Sequence, residues 1–318
     1  MTGLGFLSAI AATNILGFST MVEPNSLAEA TALADRLRFA IILGPIPVIV
    51  GAWLLAEYFC GKRRLLLPSM ALAIFIAWGS AIVGAGLASF FVDPITTAMR
   101  IERDAGPWEI ITSISYAGFA AAAIFWRFRL PFSLFLLAGA TAGLFYTAVA
   151  QFAGIGQVGS GLAMLAIGIA TLVTAIGFDM KDPTRSTRSS DHAFWLHMAA
   201  APQIILGMRG LLLGSGFAPA GMADATVMLV VLIAFALLSL ALNRRALIVS
   251  GLVTFATALW VLVNELGGGG VNTLMPTALI IGGAIVLLGG GWRTARRAIL
   301  KLAPQSGTFG RIFPPEPV

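Results

Sequence analysis

The feature that most constrains this chain is a series of apolar runs, each about the twenty residues an α-helix needs to cross roughly 30 Å of hydrocarbon. Nine are plain, at residues 39–60, 65–92, 108–126, 131–153, 161–179, 192–215, 225–242, 246–264 and 272–291. Charged residues make up only 11% of the chain against 58% hydrophobic, with a mean hydropathy of +0.92. A soluble domain carries about 25% charged residues, and this much apolar surface cannot be packed inside one water-soluble core. The expected fold is therefore all-α, a polytopic helical membrane bundle with the lipid bilayer as its first partner. A tenth candidate, GLGFLSAIAATNILGFSTMV at 3–22, is long enough to span but is weakened by Asn14 and several small residues. Reading it as a cleaved signal meets two objections. No Lys or Arg precedes it, and the small-x-small site Ala32-Leu33-Ala34 lies far beyond it. A surface helix is the third reading. The count is ten spans, or nine if this run does not cross.

The connections alternate in charge. Lys62, Arg63 and Arg64, then Arg127 and Arg129, then Lys181, Arg185 and Arg188, then Arg244 and Arg245, then Arg293, Arg296, Arg297, Lys301 and Arg311 fall on one side. That side holds 15 of the 20 Lys and Arg. The other side holds Asp93, Glu102, Asp104, Asp224 and Glu265, with Arg36, Arg38, Arg100, Arg103 and Arg209. Lys and Arg are retained in short cytoplasmic loops, so the basic side and the C-terminus are expected to be cytoplasmic in a bacterial inner membrane. The net charge of +6 is thus an orientation signal rather than a nucleic-acid surface, and no nucleic acid is expected as a partner. One transmembrane domain is expected over 1–303, followed by a disordered cytoplasmic tail at 304–318. The basic residues of GWRTARRAILKLAP sit where they can meet anionic lipid. Trp108, Trp126, Trp195, Trp260 and Trp292 fall near span ends, with Trp195 read as an interface anchor, while Trp53 and Trp78 lie deeper and read as packing residues.

Both histidines lie in SSDHAFWLHMAAAPQIILGMRG, residues 189–210. Ser189, Ser190 and Asp191 are good N-cap types, so a helix is expected to start near His192. His192 and His197 would sit about 140° apart around its axis. A helical metal pair wants i,i+4 spacing, and no Cys-x-x-Cys or third histidine completes a site. His197, about 7.5 Å deeper, must hydrogen-bond within the bundle. Pro202 would interrupt the helix near the midplane, and Gln203 beside it could line a polar cavity. Arg209, about 18 Å beyond His197, either snorkels to headgroups or pairs with Glu109 or Glu265. Glu57, in LLAEYFCGKRR, has Lys62, Arg63, Arg64 or His197 as candidate partners. Glu57, His197, Gln203 and Arg209 form the candidate intramembrane polar site. ELGGGGVN at 265–272 lacks the Lys-Ser/Thr of a phosphate loop and reads as a connector. No nucleophile–base pair, paired carboxylates or mid-span Lys is present, so no catalytic residue, metal or cofactor is expected.

WLLAEYFCGKRRLLLPS, SDHAFWLHMAAAP, LALNRRALIVSGL and GGGWRTARRAILKLAP together resemble an uncharacterised family of proteobacterial multi-pass inner-membrane proteins. Its members carry Ala-Glu-Tyr-Phe before a basic cluster, Phe-Trp-Leu-His with Ala-Pro soon after, and a closing Trp-Arg segment. The resemblance marks Glu57, Trp195, His197 and Pro202, and it favours a span at 3–22. This chain departs from the family at its start, without the cytoplasmic N-terminal helical segment. Ten spans in about 300 residues also look like the drug/metabolite transporter architecture, an analogy of fold alone. A small-solute permease, with a small molecule as its substrate, is the leading expectation. A non-catalytic membrane scaffold or assembly factor is the alternative. For the topology, a reporter that matures only in the cytoplasm is expected to be active when fused after Val318, and an export-dependent reporter inactive; the reverse result would invert every loop.

Overall fold

The computed structural model describes residues 27–91, 106–154, 156–182, 187–213, 221–244, 246–267 and 274–300, and these are helical without a strand. Among the described residues, six stretches are long and apolar enough to cross a membrane: Asp35–Arg63, Leu66–Phe91, Pro107–Phe128, Phe132–Phe152, Val158–Lys181 and Met222–Leu242. Three further helices coincide with the remaining expected runs at 192–215, 246–264 and 272–291. The run at 3–22, most of the Gly-rich connector and the tail at 304–318 lie outside the described residues. Large apolar side chains face outward in the middle of helices, including Phe119 at 72% and Val286 at 72% exposure. Water would penalise such an exterior and a bilayer would not. The protein is an all-α helical membrane bundle.

The chain forms two compact units, Met1–Gln151 and Phe152–Val318. In the first, α1 (Leu27–Leu43) and α2 (Ile46–Ala56) meet at Gly44-Pro45. Pro45 and Pro47 have no N–H for the helical ladder, yet Gly44 donates to Ala40 O at 2.8 Å and Ile49 to Pro45 O at 2.9 Å, so the path stays helical. The helix then widens into a π-helical stretch, Glu57–Arg63, stopped by Arg64 in the left-handed region at φ 52°. α3 (Leu66–Ala88) packs through glycines: a Cβ on Gly79 would lie 2.8 Å from Ile49, on Gly86 2.7 Å from Ile42, and on Gly84 2.6 Å from the Thr112 carbonyl of the next helix. That helix, α4 (Pro107–Phe128), starts at Gly106, whose N–H donates to Glu109 Oε2 at 3.0 Å. α5 (Phe132–Phe152) closes the unit. Trp53 packs on Phe128 with ring centroids 5.5 Å apart, as a packing residue should. Trp78 does not: it is 60% exposed and belongs to the outer surface.

In the second unit, α6 (Gly156–Lys181) and α7 (Arg188–Leu213) form the tightest hairpin. A Cβ on Gly161 would lie 2.6 Å from the Gly210 carbonyl carbon, one on Gly168 2.9 Å from Ile204 N, and one on Gly207 2.4 Å from Leu165 N. The helices therefore meet backbone to backbone along three turns, as small residues allow in membranes, where lipid is as apolar as leucine and shape must drive association. α8 (Met222–Leu242) and α9 (Ala246–Gly267) pack on α7 through a core including Ala201, Ile205, Met228, Phe235, Leu247 and Ala258. α10 (Leu274–Leu300) buries Trp292, Arg296 and Leu300, spaced i, i+4, i+8 on one face. Two expectations change here. Trp292 is buried and its indole N–H donates to Asn243 Oδ1 at 3.1 Å, so it is no headgroup anchor. Arg296 is turned inward, leaving Arg293 and Arg297 as the exposed cations of that segment.

The seam gives a controlled test. Gly207→Ala places a methyl group into the Leu165 backbone, and overpacking of this kind costs about 1–3 kcal/mol. Gly177→Ala, on the same hairpin but with open space around it, should lose nothing. Thermal unfolding of both variants in the same detergent should lower the midpoint for the first alone.

Candidate functional site

The site begins where α6 ends. Asp179 lies in its last turn, two residues before Lys181, and a carboxylate there is opposed by the negative end of the helix dipole. It needs cationic or N–H partners, and the return of the chain supplies them. Asp182 Oδ2 accepts from the Thr187 N–H at 2.7 Å and from its hydroxyl at 2.7 Å. Thr187 Oγ1 accepts from the Ser189 N–H at 3.2 Å, so Thr187 is the cap and α7 starts at Arg188, a turn earlier than the Ser189–Asp191 types suggest.

The seam contacts Gly161–Gly210, Leu165–Gly207 and Gly168–Ile204 then set the register. By that register the backbone of Asp179 is level with His192–Ala193, about four residues, or 6 Å, shallower than His197. Side chains on helices lean toward their own N-termini. In an antiparallel pair Asp179 therefore leans inward and His197 leans back, and the two meet: His197 Nε2 lies 2.8 Å from Asp179 Oδ2. A third element completes the cluster. α8 ends with Asn243 in the left-handed region at φ 55°, and the Arg244 N–H donates to Ser239 O at 2.9 Å. The Ser239 hydroxyl donates to the Arg244 carbonyl. Held at both backbone groups, Arg244 turns its guanidinium onto Asp179. Nε donates to Oδ2 at 3.0 Å, Nη2 donates to Oδ1, and Nη2 also reaches Ser190 Oγ at 3.2 Å.

Asp179, His197 and Arg244 thus form one polar cluster among α6, α7 and the α8–α9 turn. His197 is fully buried and Arg244 is buried; Asp179 is 16% exposed. An ionised carboxylate only accepts, so His197 Nε2 must carry the hydrogen of that bond. Its Nδ1 is buried and has no hydrogen-bond partner among the described residues. Toward the α6–α7 loop, the His192 ring meets Phe178 edge-on at 5.5 Å, and Lys181 Nζ lies 5.2 Å from the same Phe178 ring.

The other expected site residues have other partners. Gln203 does not border a polar opening on its α6 side: it is buried, and its Oε1 accepts from Thr171 Oγ1 at 2.9 Å. Pro202 does not interrupt α7, which runs helically through it, although the proline has no N–H to return to the Met198 carbonyl. Arg209 does not snorkel to headgroups. It is buried and Nη2 donates to Asp224 Oδ2 at 3.2 Å, at the opposite end of α7. Glu57 belongs to the first unit, and its partner is Arg127, with Nη2–Oε2 at 2.7 Å. At 36% and 54% exposure this is a surface pair. Trp195 packs its ring against Phe194, centroids 5.2 Å apart.

Sequence reasoning found His197 but missed Asp179, Arg244 and Ser190. Arg244 reads as a loop charge because it follows a span end and precedes a second arginine. Asp179 carried a usable signal, as an acid in the last turn of an apolar run, where the dipole disfavours it. In comparisons with known proteins, no family model, no curated protein and no solved structure matched the chain.

Removing one partner of a buried ion pair leaves the other charge uncompensated, at a cost of about 3–5 kcal/mol. Asp179→Asn and Arg244→Gln should each lower the unfolding midpoint sharply. The double variant should be more stable than either single. Glu57→Gln, in the half-exposed pair, should change stability by less than about 1 kcal/mol.

Proposed function

We propose that this chain is a small-solute permease of a bacterial inner membrane, with its C-terminus cytoplasmic and Asp179, His197 and Arg244 as its polar centre. The observation that carries the reading is the burial together of three ionisable side chains in an apolar bundle: Asp179 in the last turn of α6, His197 on α7 and Arg244 in the α8–α9 turn. Such groups are costly in hydrocarbon and characteristically mark substrate or ion pathways. The order of runs supports it. With the run at 3–22 counted as a span, five runs precede residue 155 and five follow. Halves with an odd number of spans have opposite orientations, the arrangement of inverted-repeat transporters. The second run of each half then carries prolines, Pro45 and Pro47 in one and Pro202 in the other. Proline-marked segments in corresponding places are a pointer to the binding region in such folds. Membership of the proteobacterial inner-membrane family, carried by Glu57, Trp195, His197 and Pro202, is part of the same proposal.

A second reading, a membrane scaffold or assembly factor, is favoured by one specific observation. Gln203, at the level where a permease opens a water path, is sealed against α6 by the Gly168 contact and the Thr171 hydroxyl. Thiol accessibility separates the two. On a Cys60→Ser background, a cysteine replacing Gln203 is expected to react with a membrane-impermeant thiol reagent in opened vesicles. A cysteine replacing the exposed Lys181 serves as the positive control. If the control reacts and the Gln203 position stays silent, the α6–α7 seam is closed to water and the scaffold reading replaces the permease.

A further inference from the structure

We infer that Nδ1 of His197 is a proton-binding site and that the proton is the coupling ion, the second half of this resting on the permease reading. The geometry fixes one ring nitrogen and leaves the other open. Asp179 Oδ2, an acceptor, lies 2.8 Å from Nε2 and holds the hydrogen there. A carboxylate bonded to one imidazole nitrogen orients the ring and fixes the hydrogen on that nitrogen, leaving the other as an acceptor, as in carboxylate–histidine pairs that serve a metal or a nucleophile. Here that other nitrogen faces no hydrogen-bond partner among the described residues, on a side chain with no exposed surface. A buried acceptor left bare is a standing cost that a purely structural histidine would avoid by bonding at both nitrogens.

The charge balance fits a proton and not a larger cation. Asp179 and Arg244 together are neutral, so a neutral imidazole leaves the cluster uncharged. One proton delivered through water forms an N–H bond at Nδ1, breaks none at Nε2, and makes the cluster +1. Loss of that proton to water restores the resting state, with no electron transfer. A metal ion would need several lone pairs, but both oxygens of the carboxylate already accept from Arg244. Among the described residues, two charged groups are bonded into the cluster with the ring. α6 gives Asp179, and the α8–α9 turn gives Arg244. On α7 itself the next is His192. The acid of α8, Asp224, pairs with Arg209 at the far end, and Glu265 lies at the far end of α9. Protonation at Nδ1 therefore acts on the Asp179–Arg244 pair, the link between the α6–α7 hairpin and the α8–α9 turn.

The chain has two histidines, so the readout is direct. The full-length protein with His192→Gln is labelled with ¹⁵N-histidine, placed in lipid bilayers and titrated by NMR, with the wild type run beside it. In the wild type two imidazoles are followed instead of one, which keeps the test open should the variant not fold. At alkaline pH the expected result is a hydrogen on Nε2 and a bare Nδ1. On acidification Nδ1 gains a proton reversibly while Nε2 keeps its own and the bundle stays folded. A hydrogen on Nδ1 at every pH, or a bare Nδ1 down to the pH of unfolding, would overturn the inference. In sealed vesicles with different pH inside and out, a proton-coupled carrier should show His197 following one compartment. Protonation with a silent cysteine at position 203 would keep the proton site and remove the coupling role. Labelling at 203 without protonation would keep the permease and remove this site.

Discussion

Hydrocarbon offers a polar group no water to return to, so each charge inside this bundle must be met by another part of the chain. Asp179 shows how far that requirement reaches. One carboxylate at the end of α6 receives His197 from α7 and Arg244 from the α8–α9 turn, and through Arg244 it also reaches Ser190. Displacing any of the three elements would strand a charge. The cluster thus ties the way α8 ends to the way Arg244 points. Those constraints explain local features that otherwise look arbitrary, such as the left-handed Asn243 and the paired bonds between Ser239 and Arg244.

Association and register have different sources here. Apolar side chains gain little by leaving lipid for a neighbouring helix, so α6 and α7 adhere by shape, through glycines that let two backbones touch. Polar bonds then choose among possible registers. Thr171–Gln203 locks the middle of the seam, His197–Asp179 its basic end, and Arg209–Asp224 ties the opposite end of α7 to α8. Interhelical hydrogen bonds in membranes contribute only about 0.6 kcal/mol on average. Their value lies in specifying one alignment, because a slip leaves both partners unsatisfied at once. The pairs also sort by end: Glu57 with Arg127, Trp292 with Asn243, and Arg209 with Asp224 each join residues that the alternation of loop charge assigns to one side.

The spans were legible because each needs only length and apolarity, which a single run displays. Nine expected runs fall on described helices for that reason. The site was only half legible. His197 stood out as a rare polar residue in an apolar run, but its partners come from positions 179 and 244, and only the glycine register of α6 against α7 brings the first of these within reach. Arg244 and Arg296 carry the signature of orientation charges, since a basic residue after a span looks the same in sequence whether it points to lipid headgroups or inward. Pro202 marked a weakened helix without showing that neighbouring packing would keep the helix continuous.

The same division of labour says where the site can open. α6 and α7 touch through main chain, with Gly207 against Leu165 and Gly161 against Gly210, and backbones this close cannot slide without a clash at each turn. The α8–α9 turn reaches Asp179 through the Arg244 side chain, and the helices on either side of that turn pack on α7 through side chains such as Phe235 and Leu247. Side-chain contacts can shear by small rotamer changes, whereas close-packed backbones have no such freedom. On the permease reading, water would reach His197 by a shift of Arg244 and its turn, because the α6–α7 hairpin has no such freedom. Such a shift would require the Asp179–Arg244 pair to weaken, and the proton proposed for His197 would be the new charge nearest to that pair, on the imidazole bonded to the same carboxylate oxygen.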